Sequence, residues 1–253
     1  MRIVIVDVGS HRLEEINVLF SPSVYELKLL VKETVKYFLG RSYYQFKILK
    51  LAWLIYFKRP LRNAMSYTEV IALEPNVSVS FKFVDRLKKI MKLHHFPICV
   101  HGHDRRQKTS IVNLNLYENT LSASVYNKCE LDTVDHLKCL GIDFYEFMKL
   151  CKKENFISVN DEIVIRMNCE GAELGVIQSV TRLIDEGFKI NVILGSLADV
   201  RKIHGESAYT EMFLELEKKG VEHHYFKGSD ISTWSVGIDA FLGAMKRRGE
   251  ANE

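Results

Sequence analysis

The sequence predicts an α/β domain in which helices cover both faces of a mostly parallel, doubly wound sheet. Short runs of β-branched residues alternate along the chain with longer amphipathic segments, which is the order that a βαβ fold requires. These runs are continuously apolar, as expected for strands that are buried on both faces. The chain has 253 residues, of which 47% are hydrophobic, so we expect a single domain over residues 1–253 with a substantial core.

The β-branched runs predict the strands of this sheet. Their positions are 2–8, 69–75, 96–101, 162–168 and 190–196. A sixth run at 109–117 alternates apolar and polar residues, which favours an edge strand.

The helices are predicted by apolar residues that recur at helical spacing. These segments span 77–94, 140–154, 172–187 and 208–220. Gly187 and Gly220 follow the last turns of two of them and are expected to cap those helices, because glycine readily adopts the left-handed conformation found there.

The C-terminal part of the sequence predicts a change in strand direction. Residues 221–228 and 234–241 resemble two short strands joined by a Gly-Ser-Asp turn. We therefore expect an antiparallel hairpin at one edge of the sheet.

A basic and aromatic insertion interrupts the fold at about residues 20–68, and its apolar spacing predicts helices. Between Glu33 and Glu69 there are seven basic residues and no acidic ones, whereas the whole chain carries a formal charge of only +3. Within the insertion, residues 43–62 mix aromatic and basic side chains as interfacial helices do. Four interpretations stay open: packing against the domain, a lid over the site, a subunit contact, and peripheral contact with the inner face of a membrane. Nucleic acid is disfavoured because the segment is too apolar for a solvated basic face.

Cysteine and histidine usage argues against metal or disulfide frameworks. The five cysteines are odd in number and form no CxxC pair, which favours a reducing cytoplasmic environment. His101 and His103 share one face of a predicted strand, but the sequence supplies no obvious third ligand, so we expect no metal site.

Polar residues mark the points where the predicted strands end, and ligands of doubly wound sheets bind at the carboxyl ends of strands. The first strand ends with Asp7 and Gly9, and the second ends with Glu74. A carboxylate at the second strand's tip can accept hydrogen bonds from both hydroxyls of a ribose. The chain has neither a G-x-G-x-x-G turn nor a Walker lysine motif, so a ligand with a ribose but without a phosphate is favoured. S-adenosylmethionine is such a ligand.

Three motifs together resemble the FkbM-type S-adenosylmethionine-dependent methyltransferases. They are VDVGS near the start, ALEPN at the second strand, and IRMNCEGAELGVIQ from residue 165 onward. The resemblance implies a Rossmann-like, class I methyltransferase fold and methyl transfer to a hydroxyl of a small molecule or glycan.

The resemblance also implies roles for individual residues. It places Asp7, Gly9, Ser10, Glu74 and Asn168 at the cofactor. The expected catalytic or acceptor-positioning residues are Glu170 and Glu173, followed by His103 and Asp104. For Glu173 a simpler interpretation also stands, in which an acid in a helix's first turn only complements the helix dipole.

Two departures from the family pattern motivate an alternative function. Ser10, His11 and Leu13 stand where the family's loop has alanine, asparagine and a later glycine, and Asn168 replaces an aspartate. An asparagine cannot act as a carboxylate base. The alternative is a binding or scaffolding protein on a methyltransferase fold that has lost catalysis.

Overall fold

The computed structural model describes most of the chain outside the insertion. The described residues are 1–11, 13, 16, 20, 31–32, 34–36, 38–40, 64–102, 108–117, 123–124, 133–169, 171–195, 197–225 and 230–250. The interpretations of 43–62 therefore lie outside the described residues. Within the insertion, the backbone is helical at residues 31–32 and 34–36.

The elements alternate between strands and helices as the sequence predicts. In chain order they are β1 (Ile3–Val8), a short 3-10 helix (Met65–Tyr67), β2 (Thr68–Leu73), α1 (Val77–Lys88), β3 (Lys92–Phe96), β4 (Cys99–His101), β5 (Thr109–Tyr117), β6 (Ala123–Ser124), β7 (Thr133–Asp143), α2 (Phe144–Lys153), β8 (Glu162–Met167), α3 (Glu173–Asp185), β9 (Ile190–Gly195), α4 (Ala198–Lys218), β10 (Glu222–Tyr225) and α5 (Asp230–Glu250).

The main sheet has six strands in the order β10-β9-β8-β1-β2-β3, and every neighbouring pair is parallel. β8, β9 and β10 lie to one side of β1, and β2 and β3 lie to the other, which is the doubly wound order of Rossmann-like folds. The predicted fold class is confirmed to this extent. The strand order changes direction between β1 and β8, and this switch point is where such sheets bind ligands.

The predicted antiparallel C-terminal hairpin is wrong. β10 pairs in parallel with β9, because α4 returns the chain to the other end of the sheet before β10 begins. Residues 234–241, predicted as the second strand of the hairpin, lie within α5. The buried Ala240, Phe241 and Ala244 recur at helical spacing, and this period continues past the short stretch that resembles a strand.

The region around the third predicted strand is also rearranged. The third strand on this side of the main sheet is β3, which begins before the predicted strand at 96–101. The predicted segment contributes its first residue, Phe96, to the end of β3 and its last three residues to β4. β4 belongs to a second sheet of order β4-β7-β5-β6, which the sequence did not predict. β5 lies between β7 and β6 in that sheet and is therefore not an edge strand among the described elements.

Apolar cores lie on both faces of the main sheet, as the continuous apolar strands require. One core includes Ile3 and Ile5 from β1 and packs against α1 and α5. The other includes Val4 and Val6 and packs against α2, α3 and α4. Because successive side chains of a strand point to opposite faces, Asp7 continues the face of Ile3 and Ile5.

Charged side chains join the amino ends of the strands, away from the switch point. Arg2 forms ion pairs with Glu69 at 2.5 Å and with Asp161 at 2.7 Å. Glu69 also accepts a hydrogen bond from Lys92 at 2.8 Å. This end of the sheet is therefore held by a satisfied polar network, and it supplies matched control residues for the opposite end.

Candidate functional site

The carboxyl ends of β1 and β8 are joined by a buried ion pair. Asp7 and Arg166 are register partners on the two strands, and Arg166 Nη1 lies 3.1 Å from Asp7 Oδ1. The same Nη1 donates to the carbonyl oxygen of Gly9 at 2.6 Å. Asp7 therefore holds Arg166 across the switch point, and Arg166 in turn fixes the turn that follows β1.

Gly9 is required by the close approach of two loops. Its φ of +68° lies in the left-handed region, and a Cβ there would overlap the backbone carbonyl of Asn168. The amides of Gly9 and Ser10 both donate to the carbonyl oxygen of Leu73, at 2.9 and 3.1 Å. The Asn168 amide donates to Val8 at 2.9 Å. The chain exits of β1, β2 and β8 are thus bound together, which brings the cofactor residues predicted from sequence to one edge.

Glu74 lies at the tip of β2 beneath the turn after β1. The His11 amide donates to its Oε2 and the Asn76 amide to its Oε1, each at 2.8 Å. The residue is only 6% exposed. Burial raises the pKa of the Glu74 carboxyl, and the two amide hydrogen bonds oppose that rise.

The turn after β1 is tight and partly buried. His11 and Leu13 adopt positive φ angles of 50° and 55°, which are uncommon for residues other than glycine. Leu13 is buried in the core that contains Ile5 and Phe241, so it packs beneath the turn. The hydroxyl oxygen of Ser10 is buried and has no hydrogen-bond partner among the described residues. A buried hydroxyl in that condition costs free energy, and a bound ligand could satisfy it.

Glu173 braces the loop that follows β8. Its Oε1 accepts a hydrogen bond from the Cys169 amide at 3.1 Å, and its Oε2 accepts one from the Gly171 amide at 2.6 Å. Glu173 is buried in the first turn of α3. This geometry favours a role in positioning the loop over the role of a proton acceptor.

A contact between two glycines was not anticipated from the sequence. A Cβ on Gly102, just after β4, would overlap the backbone of Gly175 in α3, and a Cβ on Gly175 would overlap Gly102. This contact brings His101 beside the start of α3. The sequence signal for this contact was only the glycine at each of the two positions.

His101 itself was considered from sequence only as a metal ligand. Its Nδ1 lies 2.9 Å from the carbonyl oxygen of Gly102, which can only accept, so Nδ1 carries the proton. In the neutral ring Nε2 is then an acceptor, and it is buried without a hydrogen-bond partner among the described residues. His101 is therefore a candidate proton acceptor in the part of the chain that the structure describes.

Three predicted catalytic residues, Glu170, His103 and Asp104, lie outside the described residues. Within the described ranges, no group of three or more His, Cys, Asp or Glu side chains could hold a metal ion. The described helices also include none that is long and apolar enough to cross a membrane. No family model matches the chain, and comparisons with the curated proteins and with the solved structures found no match.

Proposed function

We propose that this chain binds S-adenosylmethionine at the carboxyl ends of β1, β2 and β8 and transfers its methyl group to a hydroxyl of a small molecule or glycan. The observation that carries the proposal is the placement of Glu74. Its carboxylate lies at the tip of β2, beside the switch point, and is held there by the turn after β1. In a doubly wound sheet this is the position from which an acid binds a ribose.

The donors and acceptors at this edge fit an adenosine better than a phosphate. Each oxygen of an ionised Glu74 accepts one backbone amide and keeps a second acceptor site, so the carboxylate can take one hydrogen bond from each ribose hydroxyl. The buried Ser10 hydroxyl supplies a further polar partner. Asn168, which is partly buried beside Gly9, is assigned to the methionine portion. A phosphate in place of the ribose would face the charge of Glu74.

The protein's side chains would contribute to the reaction mainly by positioning and by proton transfer. Bound S-adenosylmethionine supplies an electrophilic methyl group, so the protein must align the acceptor, exclude water and remove the acceptor's proton. His101 Nε2 is our candidate for the proton acceptor among the described residues, and Glu170, His103 and Asp104 remain candidates outside them. Glu173 is assigned to positioning the loop that carries Glu170.

Calorimetry with S-adenosylhomocysteine, the demethylated product, tests the binding step. We expect the wild-type chain to bind and Glu74→Gln to bind at least about tenfold more weakly, since the amide loses one acceptor oxygen and its charge. Glu69→Gln is the matched control, because Glu69 is a buried acid at the opposite end of the same strand. Equal losses in both variants would indicate a general effect on the fold and would contradict the role of Glu74.

The second candidate is a binding or scaffolding protein without catalysis. It is favoured by the engagement of Asp7 with Arg166 and of Glu173 with its own loop, because both acids already serve the fold. The two candidates differ in ligand binding. If neither S-adenosylmethionine nor its product binds at millimolar concentration, the methyltransferase proposal fails and the scaffolding proposal remains.

A further inference from the structure

Two cysteines lie on neighbouring strands of the second sheet. Cys99 begins β4 and Cys139 lies in β7, and these two strands pair in parallel. Gly141 is the register partner of Cys99, so Cys139 lies two residues before that partner on β7. Because alternate residues of a strand share a face, and register partners point to the same side, both cysteine side chains lie on one face of the sheet. Both are free thiols.

The two thiols are in contact. The sulfur of Cys139 accepts hydrogen bonds from the thiol and from the backbone amide of Cys99. In its neutral form the Cys139 thiol donates in turn to the carbonyl oxygen of Val112, its register partner on β5, at 3.7 Å. The two sulfur atoms therefore already face one another, which a disulfide between them requires.

The two thiols differ in acidity and in exposure. The hydrogen bonds from Cys99 lower the pKa of the Cys139 thiol, although partial burial and the Glu74 carboxylate oppose that shift. The same thiol contact, together with burial, raises the pKa of the Cys99 thiol. Cys99 is 7% exposed, whereas Cys139 is partly open to solvent. Since the thiolate is the reactive form of cysteine, Cys139 is the thiol of this pair that a dissolved oxidant attacks first.

We propose that Cys139 is a peroxide-reactive thiol and that Cys99 captures its oxidised form in an intramolecular disulfide. A reactive thiol that is accessible, has a lowered pKa and lies beside a second thiol is the arrangement that redox-sensing cysteines share. Disulfides that form in reducing compartments are usually transient ones of this kind. The inference does not rest on the methyltransferase function, since the chemistry requires no cofactor.

The reaction has two steps. The Cys139 thiolate attacks one oxygen of hydrogen peroxide; a sulfur–oxygen bond forms, the oxygen–oxygen bond breaks, and the leaving hydroxide takes up a proton to become water. The sulfur of Cys99 then attacks the sulfenic acid at Cys139; the sulfur–sulfur bond forms, the sulfur–oxygen bond breaks, and the departing hydroxide takes the Cys99 proton. The two thiols are thereby oxidised with the loss of two hydrogen atoms, and one peroxide is reduced to two waters.

Mass spectrometry after mild oxidation tests the proposal. The whole chain is treated with a small excess of hydrogen peroxide, quenched in acid, unfolded and labelled with N-ethylmaleimide before digestion. We expect a cross-linked species that joins the peptides of Cys99 and Cys139, lacks two hydrogen atoms, and is restored to free thiols by a dithiol reductant. Cys151 is the internal control in the same digest, because it is 1% exposed and burial raises its pKa to about 12. It should keep the maleimide label.

Two variants assign the roles of the thiols. In Cys99→Ala the capturing thiol is absent, so Cys139 should be labelled by dimedone, which traps sulfenic acids, at least about fivefold more than in the wild type, at an alkaline pH at which both chains carry the thiolate. In Cys139→Ala, Cys99 should be no more oxidised than Cys151. The proposal is overturned if Cys139 of the wild-type chain keeps its maleimide label as fully as Cys151. It is also overturned if the bridge joins Cys139 to Cys129 or Cys169. Equal oxidation of Cys99 in the wild type and in Cys139→Ala would contradict the order of the two steps.

Discussion

The buried ion pair between Asp7 and Arg166 gives the sharpest test of how the site edge is held. The side chains are 0% and 6% exposed, and Arg166 also binds the Gly9 carbonyl. Replacing Arg166 by methionine keeps most of the apolar length of the side chain but removes the guanidinium that pairs with the buried Asp7 carboxylate. Removing one partner of a buried pair typically costs about 3–5 kcal/mol of unfolding free energy. For a chain of this size that corresponds to a fall in melting temperature of roughly 6–20 °C.

Urea unfolding with linear extrapolation measures this loss, and Arg201→Met is the control. Arg201 pairs with Glu206 at 2.7 Å, but both side chains are more than half exposed. An exposed pair contributes at most about 1 kcal/mol, so the control variant should unfold near the wild-type midpoint. A second variant, Asp7→Leu combined with Arg166→Met, removes both charges and should recover part of the lost stability. If Arg166→Met and Arg201→Met unfold at the same urea concentration, the ion pair does not hold the switch point together.

Gly175→Ala should destabilise the chain because its Cβ overlaps facing backbone, whereas Gly243→Ala in α5, which meets only the end of a flexible side chain, should stabilise it by up to about 1 kcal/mol in thermal unfolding. Because burial raises the pKa of the Glu74 carboxyl, folding favours its protonated form. The stability that this group contributes is present below pH 4.5 and is lost as the pH rises through the folded pKa. Glu74→Gln should therefore flatten this part of the stability profile, measured as the urea midpoint against pH. A hydrogen bond from Cys99 lowers the pKa of the Cys139 thiol, so iodoacetamide should modify Cys139 at lower pH than an ordinary cysteine, and Cys99→Ala should shift that mass-spectrometric profile to higher pH.

Specific results would contradict the predictions for the two glycines, for Glu74 and for Cys139. Equal effects of alanine at the two glycines would show that the backbone contact is relieved at little cost. An unchanged profile in the Glu74 variant would place the titration elsewhere. Insensitivity of Cys139 to the loss of its neighbour would show that the hydrogen bond does not control its reactivity.

The strands of the main sheet were predictable because their residues carry a simple signal. Ile3–Val8, Glu162–Met167 and Ile190–Gly195 are continuously apolar or nearly so, and a doubly wound sheet is the common fold that buries such strands on both faces. The C-terminal error has a related cause. The segment 234–241 is short enough to fit either the two-residue period of a strand or the 3.6-residue period of a helix. The helical period becomes clear only when the buried Ala244, further along α5, is included with Ala240 and Phe241.

The details of the site were less predictable because they depend on contacts distant in sequence. The position of Glu74 at a strand tip followed from local pattern, but its two amide partners depend on how the turn at His11 folds across β1. The pairing of Asp7 with Arg166 requires the register between β1 and β8, which no local motif encodes. The contact between Gly102 and Gly175 likewise joins a strand end and a helix that lie far apart in the chain.

A crystal structure of the chain grown with S-adenosylhomocysteine would test the central claim most directly. We expect the ribose hydroxyls within hydrogen-bond distance of Glu74 and the ligand against the turn at Ser10. A ligand bound elsewhere, or no bound ligand while the turn after β1 stays closed over Glu74, would contradict the proposed cofactor site.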